Sequence, residues 1–245
     1  MKNYKSKLFN SYLDTHIRNR EGVPTLKHYE LFNKYFSKII KKIDLSKDSK
    51  ILDLGCGVGF FLYSLKNNKY SNLKGIEFSS ELVEIAVENG LDFIKQGDII
   101  DELNNSVEKY DLIILKDVIE HFEKELIYEI LEKLKKKLNT GGKIFIQVPN
   151  ATNLFSGRVL YNDFTHEFSF TKTSLTQLLS SVGFINHKFY KNEPYLFSLT
   201  PKHFMKFIFK SVYHLFVKIL FFFEEPSFPI VVSESIIVIS EKNED

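Results

Sequence analysis

Residues Lys50 to Phe61 read KILDLGCGVGFF, and the fold turns on this stretch. Ile51, Leu52 and Leu54 form the apolar run that a buried parallel strand needs, with Asp53 inside it where packing asks for no charge. Gly55, Gly57 and Gly59 then alternate through a tight turn, and Phe60, Phe61, Leu62 and Leu65 open an apolar helical face. Glycines in a strand-to-helix turn allow positive φ and let a ligand approach bare backbone. The helix start that follows offers unpaired N–H groups. The stretch is a small-molecule cradle. A dinucleotide fingerprint needs a third glycine where Phe60 stands, so the spacing here is G-x-G-x-G. An acid just ahead of the turn repels a pyrophosphate and suits a cationic group such as a free ammonium.

The totals bound the rest. A chain of 245 residues holds one sizeable α/β domain, and two full domains would be cramped. With 44% hydrophobic and 26% charged residues the composition is that of a globular protein. A formal net charge of +2 gives no general affinity for nucleic acid. The lone cysteine, Cys56, excludes an intramolecular disulfide and fits a reducing cytosol. The first residues, MKNYKSKLFNSYLD, have no apolar core of signal-peptide length, and no transmembrane helix is predicted.

Working outward, the apolar spacing of Leu26, Tyr29, Phe32 and Phe36 predicts a helix over 25–42 that lies against the sheet. A helix over 58–68 follows the glycine turn, then a strand over 73–78 containing Glu77. Ser79 or Ser80 is placed to cap the next helix, with Gly90 at its end. A third strand is expected over 93–99, ending in Gly97-Asp98, and a fourth over 111–115. A helix over 123–139 is stopped by Asn139-Thr140-Gly141-Gly142, and 143–149 is the fifth strand. A polar loop is expected from Asn150 to Thr171, longer than such a connection normally needs. A helix from Leu175 ends at Gly183-Phe184, and two more strands fall over 184–190 and 234–240. Between them Lys202 to Phe223 reads KHFMKFIFKSVYHLFVKILFFF. Lys206, Lys210, His214 and Lys218 recur every fourth residue, which draws one basic stripe on an otherwise apolar helix. Such a helix suits an anionic membrane interface, or burial against the domain or a second copy of the chain.

The glycine stretch resembles motif I of class I S-adenosylmethionine-dependent methyltransferases, in which the acid and the turn hold the methionine end of the cofactor. Gly97-Asp98-Ile99 resembles the motif whose acid meets the adenine amine. The string from Asp111 to His121, DLIILKDVIEH, is similar to a stretch of many small-molecule methyltransferases. RVLYNDFTHEFSFT followed by SLTQLLSSVGF is similar to bacterial O-methyltransferases acting on surface polysaccharides and other small acceptors. The resemblance covers about residues 27 to 190. It implies a Rossmann-like, doubly wound, mostly parallel seven-stranded sheet with a reversed last strand. The expected division is a cap over 1–45, a cofactor core over 46–200, a helical insert over 201–225, and a last edge strand and tail over 226–245.

It also implies a cofactor set of Asp53, Gly55, Cys56, Gly57, Glu77, Phe78, Asp98, Ile99, Lys116 and Asp117. Glu77 follows the first glycine by the spacing at which such folds place an acid on ribose hydroxyls. Tyr12, His16 and Arg18 either reach the site from the N-terminal segment or belong to a solvated arm. In the acceptor loop His166 is the expected general base, because histidine titrates near neutrality, with Glu167 or Asp163 orienting it. His121 is the alternative base, or a loop anchor together with Glu120. No metal is expected, since no His, Cys, Asp or Glu cluster has ligand spacing. The expected reaction is O-methylation of a sugar or glycan precursor in the cytoplasm, at a membrane face, with peripheral membrane contact or a homo-oligomer through 202–223. A quinone, lipid or other secondary metabolite is the alternative acceptor. A binding protein without turnover and a nicotinamide oxidoreductase are the alternatives of other classes.

Overall fold

The computed structural model describes residues 3–10, 23–192, 201–224 and 231–243. Tyr12, His16 and Arg18 lie outside the described residues. Among those described, seven strands form one sheet in the order β3-β2-β1-β4-β5-β7-β6. These are β1 (Ile51–Leu54), β2 (Leu73–Glu77), β3 (Ile94–Gln96), β4 (Tyr110–Lys116), β5 (Leu138–Pro149), β6 (Phe184–Lys191) and β7 (Ser235–Lys242). The pairings from β3 through β5 are parallel, and β7 runs antiparallel to both β5 and β6. This is the expected reversed last strand of a Rossmann-like methyltransferase sheet. The order turns back at β1 beside β4, which opens a crevice at the carboxyl ends of those two strands.

The strand residues alternate between two cores, as a pleat requires. In β4, Ile113 and Leu115 pack with Leu52 and Leu54 of β1, while Leu112 and Ile114 pack on the opposite face with Ile51. The first face is covered by α5 (Ile99–Asn105), α6 (Lys124–Lys137) and α8 (Lys172–Val182), the second by α2 (Leu26–Ile40), α3 (Phe60–Asn67) and α4 (Ser80–Glu88). Asp53 points to the second face with Ile51, by the same alternation. Helix α2 is tied to the glycine turn: the Tyr29 hydroxyl donates to the Val58 carbonyl at 2.6 Å, and its ring meets Phe60 edge-on at 4.7 Å.

Three expectations change. The third strand stops at Gln96, because Asp98 caps a helix instead of ending a strand: its Oδ1 accepts from Ile100 N at 2.7 Å. Helix α6 ends at Lys137 and β5 begins at Leu138, so Asn139–Gly142 belongs to the strand, with an irregular register and Gly141 at φ 68°. The segment after β5 contains a short helix, α7 (Ser156–Tyr161). The expected insert is one helix, α9 (Pro201–Glu224), and much of its described apolar surface is exposed. Phe209, Val212, Leu215 and Phe216 are exposed, while Val217 is buried and Tyr213 stacks on Phe155 at 6.1 Å. A further helix, α1 (Asn3–Asn10), precedes α2.

Candidate functional site

The cradle begins at the end of β1. Gly55 and Gly57 have φ of 70° and 58°, in the left-handed region that favours glycine. A Cβ on Gly55 would come within 2.7 Å of Val118 Cγ2, whereas one on Gly57 would meet nothing within 4 Å. Gly55 is therefore needed for packing, and Gly57 borders open space. Its N–H donates to Glu77 Oε2 at 2.8 Å, and the Ser79 N–H donates to Glu77 Oε1 at 2.9 Å. Glu77 thus braces the turn from the tip of β2 and keeps further lone pairs for a ligand. Ile99 reaches the same turn, its Cδ1 3.8 Å from where a Gly55 Cβ would stand.

Asp53 is 1% exposed, and its Oδ1 is buried without a hydrogen-bond partner. Burial pushes its carboxyl up to about 7, Lys116 pulls it down, and Glu77 adds to the rise. Burial likewise raises the Cys56 thiol well above its ordinary value, with Asp53 and Glu77 adding to it. Burial also raises Glu77, opposed by the backbone N–H groups of Ser79 and Gly57. A buried, orphaned carboxylate at the mouth of a glycine turn fits the ammonium end of the cofactor that the resemblance implies. Phe78 stands next to Glu77, and Asp98 at the neighbouring strand end, so the expected cofactor residues gather at the tips of β1, β2 and β3.

Lys116 and Asp117 at the end of β4 carry the site toward the acceptor loop. Lys116 Nζ donates to Asp117 Oδ2 at 2.5 Å, and Gln147 Nε2 donates to both Asp117 oxygens at 3.0 and 2.9 Å. Burial pulls the Lys116 ammonium down, but Asp117, Asp53 and Glu120 together raise it above its ordinary value. Asp117 holds φ 58°, a strained conformation for a residue with a Cβ. Gln147 was not singled out in the sequence. Its signal is a polar residue within the apolar strand KIFIQVP.

The second cluster forms where the turn Ile119–His121 meets the loop. Glu120 is fully buried, and neither of its carboxylate oxygens has a hydrogen-bond partner. Burial holds its carboxyl well above the usual range, and Asp117 adds to this. The Thr165 hydroxyl donates to Asp163 Oδ1 at 2.6 Å, so its lone pair receives the His121 Nδ1–H across 2.8 Å. Burial and His166 together depress His121 to about 4. The His121 and His166 rings lie 4.7 Å apart, and His166 Nδ1 is buried without a partner.

Glu167 does not orient His166. Its carboxylate pairs with Lys5 of α1, which also donates to the His121 carbonyl at 2.7 Å. The Glu167 N–H donates to the Glu120 carbonyl at 2.8 Å. Asp163 Oδ1 accepts from the Thr165 hydroxyl and N–H, and the Asp163 carbonyl accepts from the His166 N–H at 3.2 Å. His166 therefore sits with Glu120 and His121, while Glu167 and Lys5 fasten the loop. Lys5 gave no signal in the sequence, since one of several lysines in a polar arm is unremarkable there.

Comparison with known proteins agrees with this architecture. A family model described as a methyltransferase domain matches residues 27–188. "Probable inactive O-methyltransferase 11" from Dictyostelium discoideum is 27% identical over 116 residues, 47% of this chain and 35% of that protein. "O-methyltransferase 7" from the same organism is 31% identical over 120 residues, 48% of this chain and 34% of that protein. The chain spans about a third of the length of these curated relatives. Among solved structures, a SAM dependent methyltransferase from Archaeoglobus fulgidus superposes with a TM-score of 0.62 at 20% identity. That match covers 87% of this chain and 94% of the other. The sheet order and the reversed last strand are thus those of a known fold, and the chain belongs to the methyltransferase-domain family over residues 27–188.

Proposed function

We propose that this protein transfers a methyl group from S-adenosylmethionine to a hydroxyl oxygen of a small acceptor, a sugar or glycan precursor. The observation that carries the cofactor is Asp53, a buried carboxylate with an unpartnered oxygen beside a left-handed glycine turn. When bound, the cofactor supplies a methyl already activated by its sulfonium. Asp53 accepts from the ammonium of the ligand, and Glu77 accepts from ribose hydroxyls with the lone pairs left over by Gly57 and Ser79. Asp98 and Ile99 hold the adenine, with Gly55, Cys56 and Phe78 forming the adjoining wall. Lys116 and Asp117 join this half of the site to the cluster of Glu120, His121 and His166. That cluster handles the acceptor hydroxyl, which needs alignment and a route for its proton.

A second acceptor class, a quinone or lipid, is favoured by one feature of the acceptor segment. Leu154, Phe155, Tyr161 and Phe164 are all exposed there. The exposed apolar side of α9 supports the same setting. Lys218 lies on its basic stripe and is also exposed, which suits a helix resting on an anionic bilayer at the cytoplasmic face. A second copy of the chain is the competing occupant. No described helix is long and apolar enough to cross a membrane. Co-sedimentation with anionic vesicles decides between them: binding that is lost on Lys218→Glu supports the bilayer, and no binding rejects it.

The function itself is tested by a mass search for one added methyl across sugar nucleotides, lipid-linked glycans and quinones incubated with the protein and S-adenosylmethionine. Asp53→Asn serves as the control. A methylated sugar hydroxyl made only by the native chain is expected. A methylated quinone or amine instead would overturn the sugar assignment.

A further inference from the structure

Glu120 and His166 share an unusual condition. Both carboxylate oxygens of a fully buried Glu120 lack a hydrogen-bond partner, and so does the buried Nδ1 of His166. Buried polar groups in folded proteins are nearly always paired, so an orphaned pair side by side points to something that meets both. His121 stands beside them, and one ligand atom from each of Glu120, His121 and His166 lies within 4.8 Å of the others. Thr165 spends its proton on Asp163, so its hydroxyl oxygen is left to hold His121 at Nδ1. An imidazole oriented through one ring nitrogen by a fixed hydroxyl has the arrangement of a metal ligand held by an outer partner.

We propose that Glu120, His121 and His166 form a binding site for a divalent first-row transition-metal ion, with Thr165 and Asp163 as its outer partners. Two imidazoles and one carboxylate suit Zn²⁺, Co²⁺ or Mn²⁺, whereas Ca²⁺ and Mg²⁺ favour oxygen-only sets. At metal–ligand distances of about 2.0–2.2 Å the donors stand roughly 3–3.5 Å apart, so the three close inward by about an ångström on binding. His166 is only partly buried and sits in a loop, which lets it make that movement. Three protein donors leave coordination positions for an outside oxygen. An acceptor hydroxyl taking one of them rests on the methyl-acceptor reading above; the metal site does not. Residue spacing concealed the site, because Glu120 and His121 are adjacent while His166 lies far along the chain.

The full chain, stripped with a chelator and without cofactor or acceptor, is titrated with Zn²⁺, Co²⁺ and Mn²⁺ by calorimetry, and its Co²⁺ form is read by visible absorption. One ion per chain is expected, with ligand-field bands in the Co²⁺ form. Glu120→Gln and His166→Ala should each weaken binding by more than about tenfold, the loss that even an outer partner can cause, with the circular dichroism spectrum retained. Thr165→Val should weaken it by about tenfold. Should Glu120→Gln not fold, His166→Ala decides alone. A folded native chain that binds none of the three ions overturns the site, as does His166→Ala binding them as tightly as the native chain. A chain that binds one ion through these residues yet methylates no hydroxyl supports the site and counts against the acceptor reading.

Discussion

Thr165 Oγ1 lies 2.8 Å from His121 Nδ1, across 44 residues of chain. This contact holds the end of β4 and the acceptor loop together, and it sets the tautomer of His121. Replacing Thr165 by Val keeps the shape and removes the hydroxyl that links Asp163 to His121. A stability loss of about 1–2 kcal/mol is expected from the broken buried pairing. Turnover should fall further than cofactor affinity does. Urea unfolding and steady-state kinetics read the two effects separately.

Asp53 predicts a conflict between stability and binding. Its folded carboxyl stands at about 7 because of burial, above the ordinary carboxylate range. The folded state therefore holds the proton more tightly than the unfolded chain does. That contribution is neutral in acid, declines as pH rises from about 4 to 7, and is flat above 7. Asp53→Asn should stabilise the cofactor-free protein more at pH 8 than at pH 5, as urea unfolding at both values would show.

Cofactor affinity carries the opposite sign. A ligand ammonium needs the ionised carboxylate, so native-chain affinity should climb between pH 6 and pH 8. Asp53→Asn should lower it by roughly 10–100-fold, the worth of a charge-assisted hydrogen bond, and should flatten its dependence on pH. Calorimetry across that range checks both.

Glycine substitutions separate packing from ligand approach. A Cβ on Gly59 would lie 2.5 Å from Ile94 Cδ1 and 2.6 Å from Leu91 Cδ1, at φ 80°. Gly59→Ala should cost about 2–4 kcal/mol from overpacking and left-handed strain. Gly57→Ala has room and carries only the strain, about 1–2 kcal/mol. Its larger effect should fall on cofactor affinity, because the added methyl enters the space the ligand needs. Thermal melts with and without cofactor distinguish the two variants.

Much of this was legible in the sequence where local chemistry and fold agree. Asp53 and its glycines announced the cradle, and the run Leu112 to Leu115 announced a strand covered on both faces. Asp98 misled at the level of secondary structure: Gly-Asp ends strands and starts helices equally well, and only the Ile100 N–H at 2.7 Å shows the cap. The role of Glu167 was hidden because its partner, Lys5, is 162 residues away. Gln147 could be seen as a polar residue in an apolar strand, but its partner follows from the register that sets it beside Lys116. The proximity of His166 to Glu120 goes with a backbone bond from Glu167 to Glu120, which no spacing rule encodes.

Lys5 gives a test of that long-range fastening. Lys5→Met removes the ammonium shared by Glu167 and the His121 carbonyl while keeping most of the side-chain volume. Faster proteolytic cleavage within 150–171 is expected, with cofactor affinity little changed, because the cradle lies on other strands. Limited proteolysis followed by mass mapping checks it.

The central claim is that the Asp53 cradle takes S-adenosylmethionine, and calorimetry tests it most directly. The native chain is titrated in turn with S-adenosylmethionine, S-adenosylhomocysteine and NAD. Binding of the first two at one per chain, with none of NAD, is the predicted result. Binding of NAD alone, or of none of the three by a folded chain, would contradict it.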